Sequence, residues 1–192
     1  MKTQNGIIGV YHWGNKRIFL NAAIGLFLFF LCSCESSDGD MQEPDLDEVG
    51  FNIDVSGSFS RDMEGTNATY KFNEMPSSFV TTHQLAIYLT DGEGYTVTAT
   101  ILLNGASLPT KGKYNITDFS SGTGLQELDA GLIFGQNGGV SHNSIGSSIG
   151  SITLTETGNG FVKGTLVGAL LATGNGSGSI SINGSFHAEF IP

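Results

Sequence analysis

Past Cys34 the chain has no cysteine; Cys32 and Cys34 are the only two in its 192 residues. That absence excludes a disulfide framework and a thiolate metal site from everything downstream, so stability there has to come from a core and from backbone pairing. Tryptophan occurs once, at Trp13, which leaves none after the N-terminal segment to stack on a ligand ring. Basic residues are scarce as well. Eight Lys+Arg against eighteen Asp+Glu give a formal net charge of −10, the wrong sign for gripping a phosphate backbone by counterion release, and the reading is accordingly of no nucleic-acid partner. Charged residues of either sign make up only 14%. That is too little to lace long helices with ion pairs, which disfavours a helical bundle or coiled coil. What is present is glycine, 28 residues of it, with much Ser, Thr and Asn and a 39% apolar fraction. This suffices for a core and separates the chain from the polar, highly charged class that stays unfolded. The length suits one domain plus a processed or tethering segment.

Lys16 and Arg17 precede a run, 18–31, that is apolar apart from Asn21 and a few small residues, and the run ends in Leu31-Cys32-Ser33-Cys34. A positive segment, a short apolar segment and a small residue at a cleavage point are the parts of a secretory signal. The run is also shorter than the roughly 20 residues a spanning helix needs. The tetrad resembles the bacterial lipobox, with Cys34 in the place of the lipid-bearing cysteine and Ser33 in that of the residue cleaved away. Cys32 departs from the Ala, Ser, Thr or Val commonest at its position. The resemblance implies that 1–33 is a lipoprotein signal peptide and that Cys34 carries diacylglycerol. At about 0.8 kcal/mol per buried methylene, two or more chains anchor a protein permanently. A plain secretory peptide and an uncleaved anchor are the alternatives.

Between residues 35 and 48 stand seven acidic side chains and no basic one. Like charges repel there and no apolar face exists to bury, so 34–49 is expected to be an extended acidic tether. Its start, with Glu35, Asp38 and Asp40, resembles the surface-export signal of Bacteroidota lipoproteins, which implies an outer-membrane protein exposed at the cell surface. An EF-hand loop counted from Asp38 fails, because its sixth position, where the sharp turn demands glycine, is Glu43.

From Phe51 the hydrophobic period is two. Phe51, Ile53, Val55 and Phe59 alternate with polar residues, the pattern of a strand with one apolar face. Tyr70 and Phe72 mark a weaker strand. Leu85, Ile87 and Leu89, then Tyr95, Val97, Ala99, Ile101 and Leu103, flank Asp91-Gly92-Glu93-Gly94 and predict a hairpin. Short strands are expected at 113–116 and 132–134, a helical turn or two is open through Leu125 and Leu128, and 135–150 reads as a long glycine-rich loop. Ile152 and Leu154 alternate with threonines ahead of a turn at Gly158-Asn159-Gly160. The segment 161–171 contains G-x-x-x-G and is apolar enough for a buried helix. Its two internal glycines and the tight turn before it favour a strand. At the C-terminus Asn183-Gly184 is a hairpin signal, but Ile180, Ile182, Phe186, Ala188 and Phe190 share one parity, which a two-residue turn would break. One strand over 179–191 keeps them on a single face, with Gly184 as a bend or bulge. The sum is an all-β domain over 50–192, an antiparallel β-sandwich or partly open barrel of about nine strands.

The strand S-I-T-L-T-E-T, a turn, F-V-K-G-T-L and S-I-S-I-N-G-S-F-H-A-E-F, with Y-T-V-T-A-T-I-L-L and K-G-K-Y upstream, is similar to the C-terminal module of uncharacterised Bacteroidota lipoproteins. The likeness covers about 85–190, is made of strand and turn residues, and departs at Leu166, where those proteins more often have Phe. It implies an exported all-β domain and carries over no functional residue.

Chemistry has one weak foothold. Residues 146–150 match G-x-S-x-G with Ser148 at the nucleophile position, and His142, His83 or His187 could be its base. The motif works on a strand-to-helix elbow, whereas here a glycine loop precedes it and a strand follows. The expectation is therefore no enzyme, no cofactor and no metal, with a serine hydrolase through Ser148 as the disfavoured alternative. His83 and His187 are both expected at the surface. The favoured function is a lipid-anchored envelope module, binding or structural, whose loops at 135–150 and 173–178 meet a glycan, a peptide or an envelope protein. A carbohydrate-binding accessory lipoprotein of a polysaccharide-uptake system is the second reading, in which Tyr70, Tyr88, Tyr95 or Tyr114 stacks on sugar; ordinary sheet packing is the competing role for each.

Overall fold

The computed structural model describes residues 46–76, 81–118, 125–136, 139–147, 149–173 and 176–192. All lie in the compact unit Gln42–Pro192. No helix occurs among them. In chain order the strands are β1 (Gly50–Gly57), β2 (Arg61–Gly65), β3 (Ala68–Glu74), β4 (His83–Thr90), β5 (Tyr95–Leu103), β6 (Gly112–Asn115), β7 (Ala130–Gln136), β8 (His142–Asn143), β9 (Gly150–Gly158), β10 (Phe161–Ala172) and β11 (Ser179–Phe190). Alternation along the chain is what makes them strands. In β5, Val97, Ala99 and Ile101 are fully buried between half-buried threonines, and β4 opposes them with Leu85, Ile87 and Leu89.

One sheet joins all eleven in the order β2-β1-β11-β3-β4-β5-β7-β8-β10-β9-β6, and a further pairing of β10 with β11 closes a ring within it. The ring has two corners. At one, the end of β11 pairs in parallel with β3 through Glu189 and Phe190; at the other, Leu171 and Ala172 of β10 pair with β8. Apart from β11 with β3, every pairing between these strands is antiparallel. Inward rows from both halves meet in one core that includes Phe51, Ile53, Leu85, Ile101, Leu132, Ile152, Leu166 and Phe186.

The ambiguous segment is a strand, β10, and its glycines face inward. A side chain at Gly168 would come within 2.8 Å of the Leu132 δ-methyl and 3.1 Å of that of Ile116. One at Gly164 would meet the Phe186 ring at 3.0 Å. The G-x-x-x-G spacing therefore leaves room for Phe186, Leu132 and Ile116, and at Gly164 it also marks a close backbone approach, with the Thr153 carbonyl oxygen 2.1 Å from where a Cβ would stand.

The C-terminal parity also holds. Ile180, Ile182, Phe186 and Ala188 are buried on one face of a single strand. Gly184, however, is no bulge, since β11 runs in unbroken register against both β1 and β10. A Cβ there would lie 2.1 Å from the Asn52 carbonyl oxygen, so the glycine marks a close backbone approach. The register shift in this half falls in the β9–β10 pairing, where Thr155 of β9 is skipped opposite Lys163 and Gly164.

Eleven strands replace the nine expected because β2 and β8 were invisible to periodicity. β2 contributes one buried apolar residue, Met63, and β8 is two residues long. The loop expected at 135–150 is shorter, since Gly135 and Gln136 end β7 and β8 lies inside it. No helical turn forms at 125–129. Leu125 is buried but Leu128, with a φ of 73°, is exposed, and its amide donates to the Leu102 carbonyl at 2.8 Å.

Candidate functional site

The corner between β7, β8 and β10 is where the side chains leave space. β8 is held in place by short polar groups. The Ser144 amide donates to the Leu132 carbonyl at 2.9 Å while its buried hydroxyl accepts from the Leu132 amide at 3.1 Å. The Ser141 carbonyl accepts from the Thr173 amide at 2.8 Å and from its hydroxyl at 3.0 Å. This seats His142 between Phe134 of β7 and Ala172 of β10.

Across from β8 the turn after β1 brings in Phe59. Gly57 and Gly178 both sit at positive φ, 122° and 101°, a conformation that suits glycine. They let the chain close so tightly that the Ser58 amide and hydroxyl both donate to the Ser179 carbonyl, at 2.9 and 3.0 Å. Phe59 then reaches Tyr95 and Phe134, with ring centroids 5.5 and 5.7 Å away; Tyr95 and Phe134 are 6.0 Å apart. Three nearly equal separations rule out a single stacked column. The rings cluster instead, with interplanar angles of 15–38°.

Beside this cluster opens a cavity of about 260 Å³. Phe59, Tyr95, Phe134 and Val140 supply its apolar wall, and Ser58, Gln136, His142 and Ser177 its polar groups. His142 is 6% exposed, and neither ring nitrogen has a hydrogen-bond partner. Burial lowers its pKa below the ordinary histidine value, which keeps the imidazole neutral at pH 7. A neutral imidazole has one N–H and one lone pair to satisfy; here neither has a partner, and both nitrogens are shut off from solvent.

The outer side of Tyr95 is braced by charge. Arg61 stands 4.3 Å from the Tyr95 ring centroid and donates to Asp91 at 3.0–3.1 Å and to Glu93 at 3.0 Å. The hydrogen bond to Glu93, ahead of that to Asp91, raises the guanidinium pKa above its ordinary value. The buried Asp91 carboxylate accepts the Glu93 and Tyr95 amides at 2.9 Å each, which closes the β4–β5 loop.

The two loops marked in the sequence, together with Tyr95 and His142, thus converge on one cavity. The other marked residues stand elsewhere. Tyr70 is 2% exposed in the opposite corner, Tyr88 accepts from the Asn73 side-chain amide at 3.3 Å, and the buried Tyr114 donates its hydroxyl to the Thr110 carbonyl. His187, expected at the surface, is half-buried against the edge of Phe161, and its Nδ1 donates to the Leu46 carbonyl at 3.1 Å. It pairs with Lys163, at the far end of β10 from His142. His83 opens β4, half-buried, with Nδ1 2.9 Å from the Thr82 hydroxyl. Ser148 and Cys34 lie outside the described residues. The three histidines therefore form no common centre, and among the described residues no three His, Cys, Asp or Glu gather into a metal-binding group. Phe59 and Phe134 went unrecognised as site residues because each reads as one more apolar residue in an alternating row; the Ser-Gly-Ser turn before Phe59 is the one hint that it leaves its strand. Comparison with known proteins finds no family model, no curated protein and no solved structure that matches this chain.

Proposed function

We propose that this chain is a lipid-anchored cell-envelope lipoprotein acting as a non-catalytic binding module, with its ligand seat in the cavity beside His142. The observation that carries the binding role is the cavity itself, in which an aromatic wall of Phe59, Tyr95 and Phe134 stands beside the polar residues Ser58, Gln136 and Ser177. Anchoring rests on the lipobox at 31–34 and the acidic segment after it, which also support placement on the outer membrane and at the cell surface.

The geometry of the domain suits a tether. Val49 packs on the core, and β1 then runs about 23 Å, at 3.3 Å per residue, from Gly50 to the turn that carries Ser58 and Phe59. The acidic segment thus joins the domain at one end of β1, and the cavity opens at the other.

Three measurements test this reading. Cells grown on radiolabelled palmitate are expected to label the chain, and Cys34→Ala to lose the label; an unlabelled wild type overturns the anchor. Purified residues 35–192 are expected to retain a ligand on a glycan array or in an envelope-extract pull-down, and Tyr95→Ala to lose it. A fluorophosphonate probe is expected to leave the protein unmodified, whereas labelling of Ser148 would establish an enzyme.

A further inference from the structure

Independently of the cavity, we infer that the outer face of the run β6-β9-β10-β11-β1-β2 docks a second copy of this chain, the two copies being related by a two-fold axis that runs between β10 and β11, parallel to the strands. Strand register carries the argument. Lys113, Thr153, Thr165, Ser185, Asn52 and Glu64 are successive cross-strand partners, and directly opposed residues point to the same side of a sheet. They form one outward row across all six strands, with a lysine at one end and a glutamate at the other. Both end residues are exposed, and neither has a charged partner among the described residues. The next row repeats this polarity. Asn115 of β6 and Ser151 of β9 stand on the lysine side, Asp54 of β1 and Asp62 of β2 on the glutamate side, with Val167 and Asn183 between them.

That polarity selects both the partner and its orientation. The chain carries a net charge of −10, so two copies repel wherever their approach does not set opposite charges together. A two-fold parallel to the strands exchanges the flanks of the face. Lys113 then meets Glu64 of the second copy and Glu64 meets its Lys113, while Asn115 and Ser151 face the carboxylates of its Asp62 and Asp54. A two-fold across the strands would instead set like charges on like. Twist agrees with the first arrangement, because such an axis gives the facing strands the same tilt at every position and the two sheets stay in step.

The middle of the face is made of small and aliphatic residues. Along β10, Thr165, Val167, Ala169 and Leu171 oppose the β11 residues Ser185, Asn183, Ser181 and Ser179, and across the two-fold they rest on those of the second copy. Val167 and Leu171 are 48% and 42% exposed in the single chain. Covering them supplies attraction, and the flanking charges set the alignment. Six strands at about 4.8 Å make the face about 29 Å wide, and the outward rows from Thr165 to Leu171, at about 6.6 Å each, make it about 26 Å long. That offers up to roughly 750 Å² per copy, near the roughly 800 Å² per partner of a stable interface.

Analytical ultracentrifugation of residues 35–192, which contain the whole compact unit 42–192, tests this. A reversible dimer is expected; a chain still monomeric at about 1 mM, where even a millimolar dissociation constant shows, overturns the proposal. Glu64→Lys and Lys113→Glu are each expected to weaken the dimer about tenfold or more at an unchanged melting temperature. Glu64→Lys also lowers the net negative charge, so tighter association of that variant would mean that net charge governs and would overturn the pairing. Mixing the two variants in equal amounts is expected to restore the dimer, because each Lys113–Glu64 contact then again joins opposite charges. A mixture no tighter than either variant alone overturns the two-fold. Val167→Asp, in the middle of the face, is expected to leave monomer, and a dimer that survives it overturns the face.

Discussion

The two corners of the ring are built from the same kind of material and end in opposite states. Where β11 meets β3, Tyr70, Phe72 and Phe190 pack with centroids 5.4–6.3 Å apart and planes crossed at 45–87°. Edges insert against faces, Tyr70 is almost wholly buried, and that burial raises its hydroxyl pKa. Where β8 meets β10, Phe59, Tyr95 and Phe134 stand equally close but with planes only 15–38° apart, and a cavity remains. At the first corner the crossed rings close over Tyr70 and leave Phe190, 43% exposed, on the outside; at the second the smaller interplanar angles go with a cavity beside the rings.

The sharpest way to break this contrast is truncation on both sides. Tyr70→Ala is expected to cost about 3–5 kcal/mol, the range for deleting a buried aromatic side chain. Tyr95→Ala, on a wall that already borders empty space, is expected to cost about 1–2 kcal/mol. Equal costs in urea unfolding would erase the distinction. Next in size is Asp91→Ala, which strands two loop amides and Arg61 and should cost about 2–3 kcal/mol. A loss below about 0.5 kcal/mol in the same assay would mean that the β4–β5 loop is not held from outside. His142→Phe is expected to gain about 1 kcal/mol, because it replaces a buried polar group with no partner by an apolar one. A thermal melt that drops instead would show that the imidazole has a partner in the free protein. Smallest is the pH effect. A histidine whose pKa falls on folding leaves stability complete above its ordinary value, about 6.5, and erodes it as pH falls through the lowered folded value. Wild-type stability should decline below that pH, and His142→Phe should flatten the decline.

Much of the packed half was legible in the residues themselves. Shared parity across Asn183-Gly184 foretold one strand in β11, because a core face enforces register over twelve residues. The apolar run in β10 was legible as a strand from its two glycines and the tight turn before it, and those glycines leave room for Phe186, Leu132 and Ile116. The receptive corner was harder. Its wall is drawn from the turn after β1, the start of β5, the end of β7, β8 and the turn before β11, so no stretch of sequence shows it whole. His142 stood among glycines and serines with nothing local to mark it as buried. The segments 135–150 and 173–178 were legible as glycine-rich connections, and described residues of both line the cavity. Which rings they would approach depended on long-range closure through Gly57 and Gly178.

One feature of β1 reaches beyond recognition. It is paired along its whole length, with all eight residues in register against β11 and five of them against β2. A pull applied between Gly50 of β1 and Ser179 of β11, which stand at opposite ends of the antiparallel ladder, runs parallel to the strands, so it loads these rungs together in shear instead of peeling them one after another. Force spectroscopy with handles at those two positions should therefore meet a stiff, high-force break.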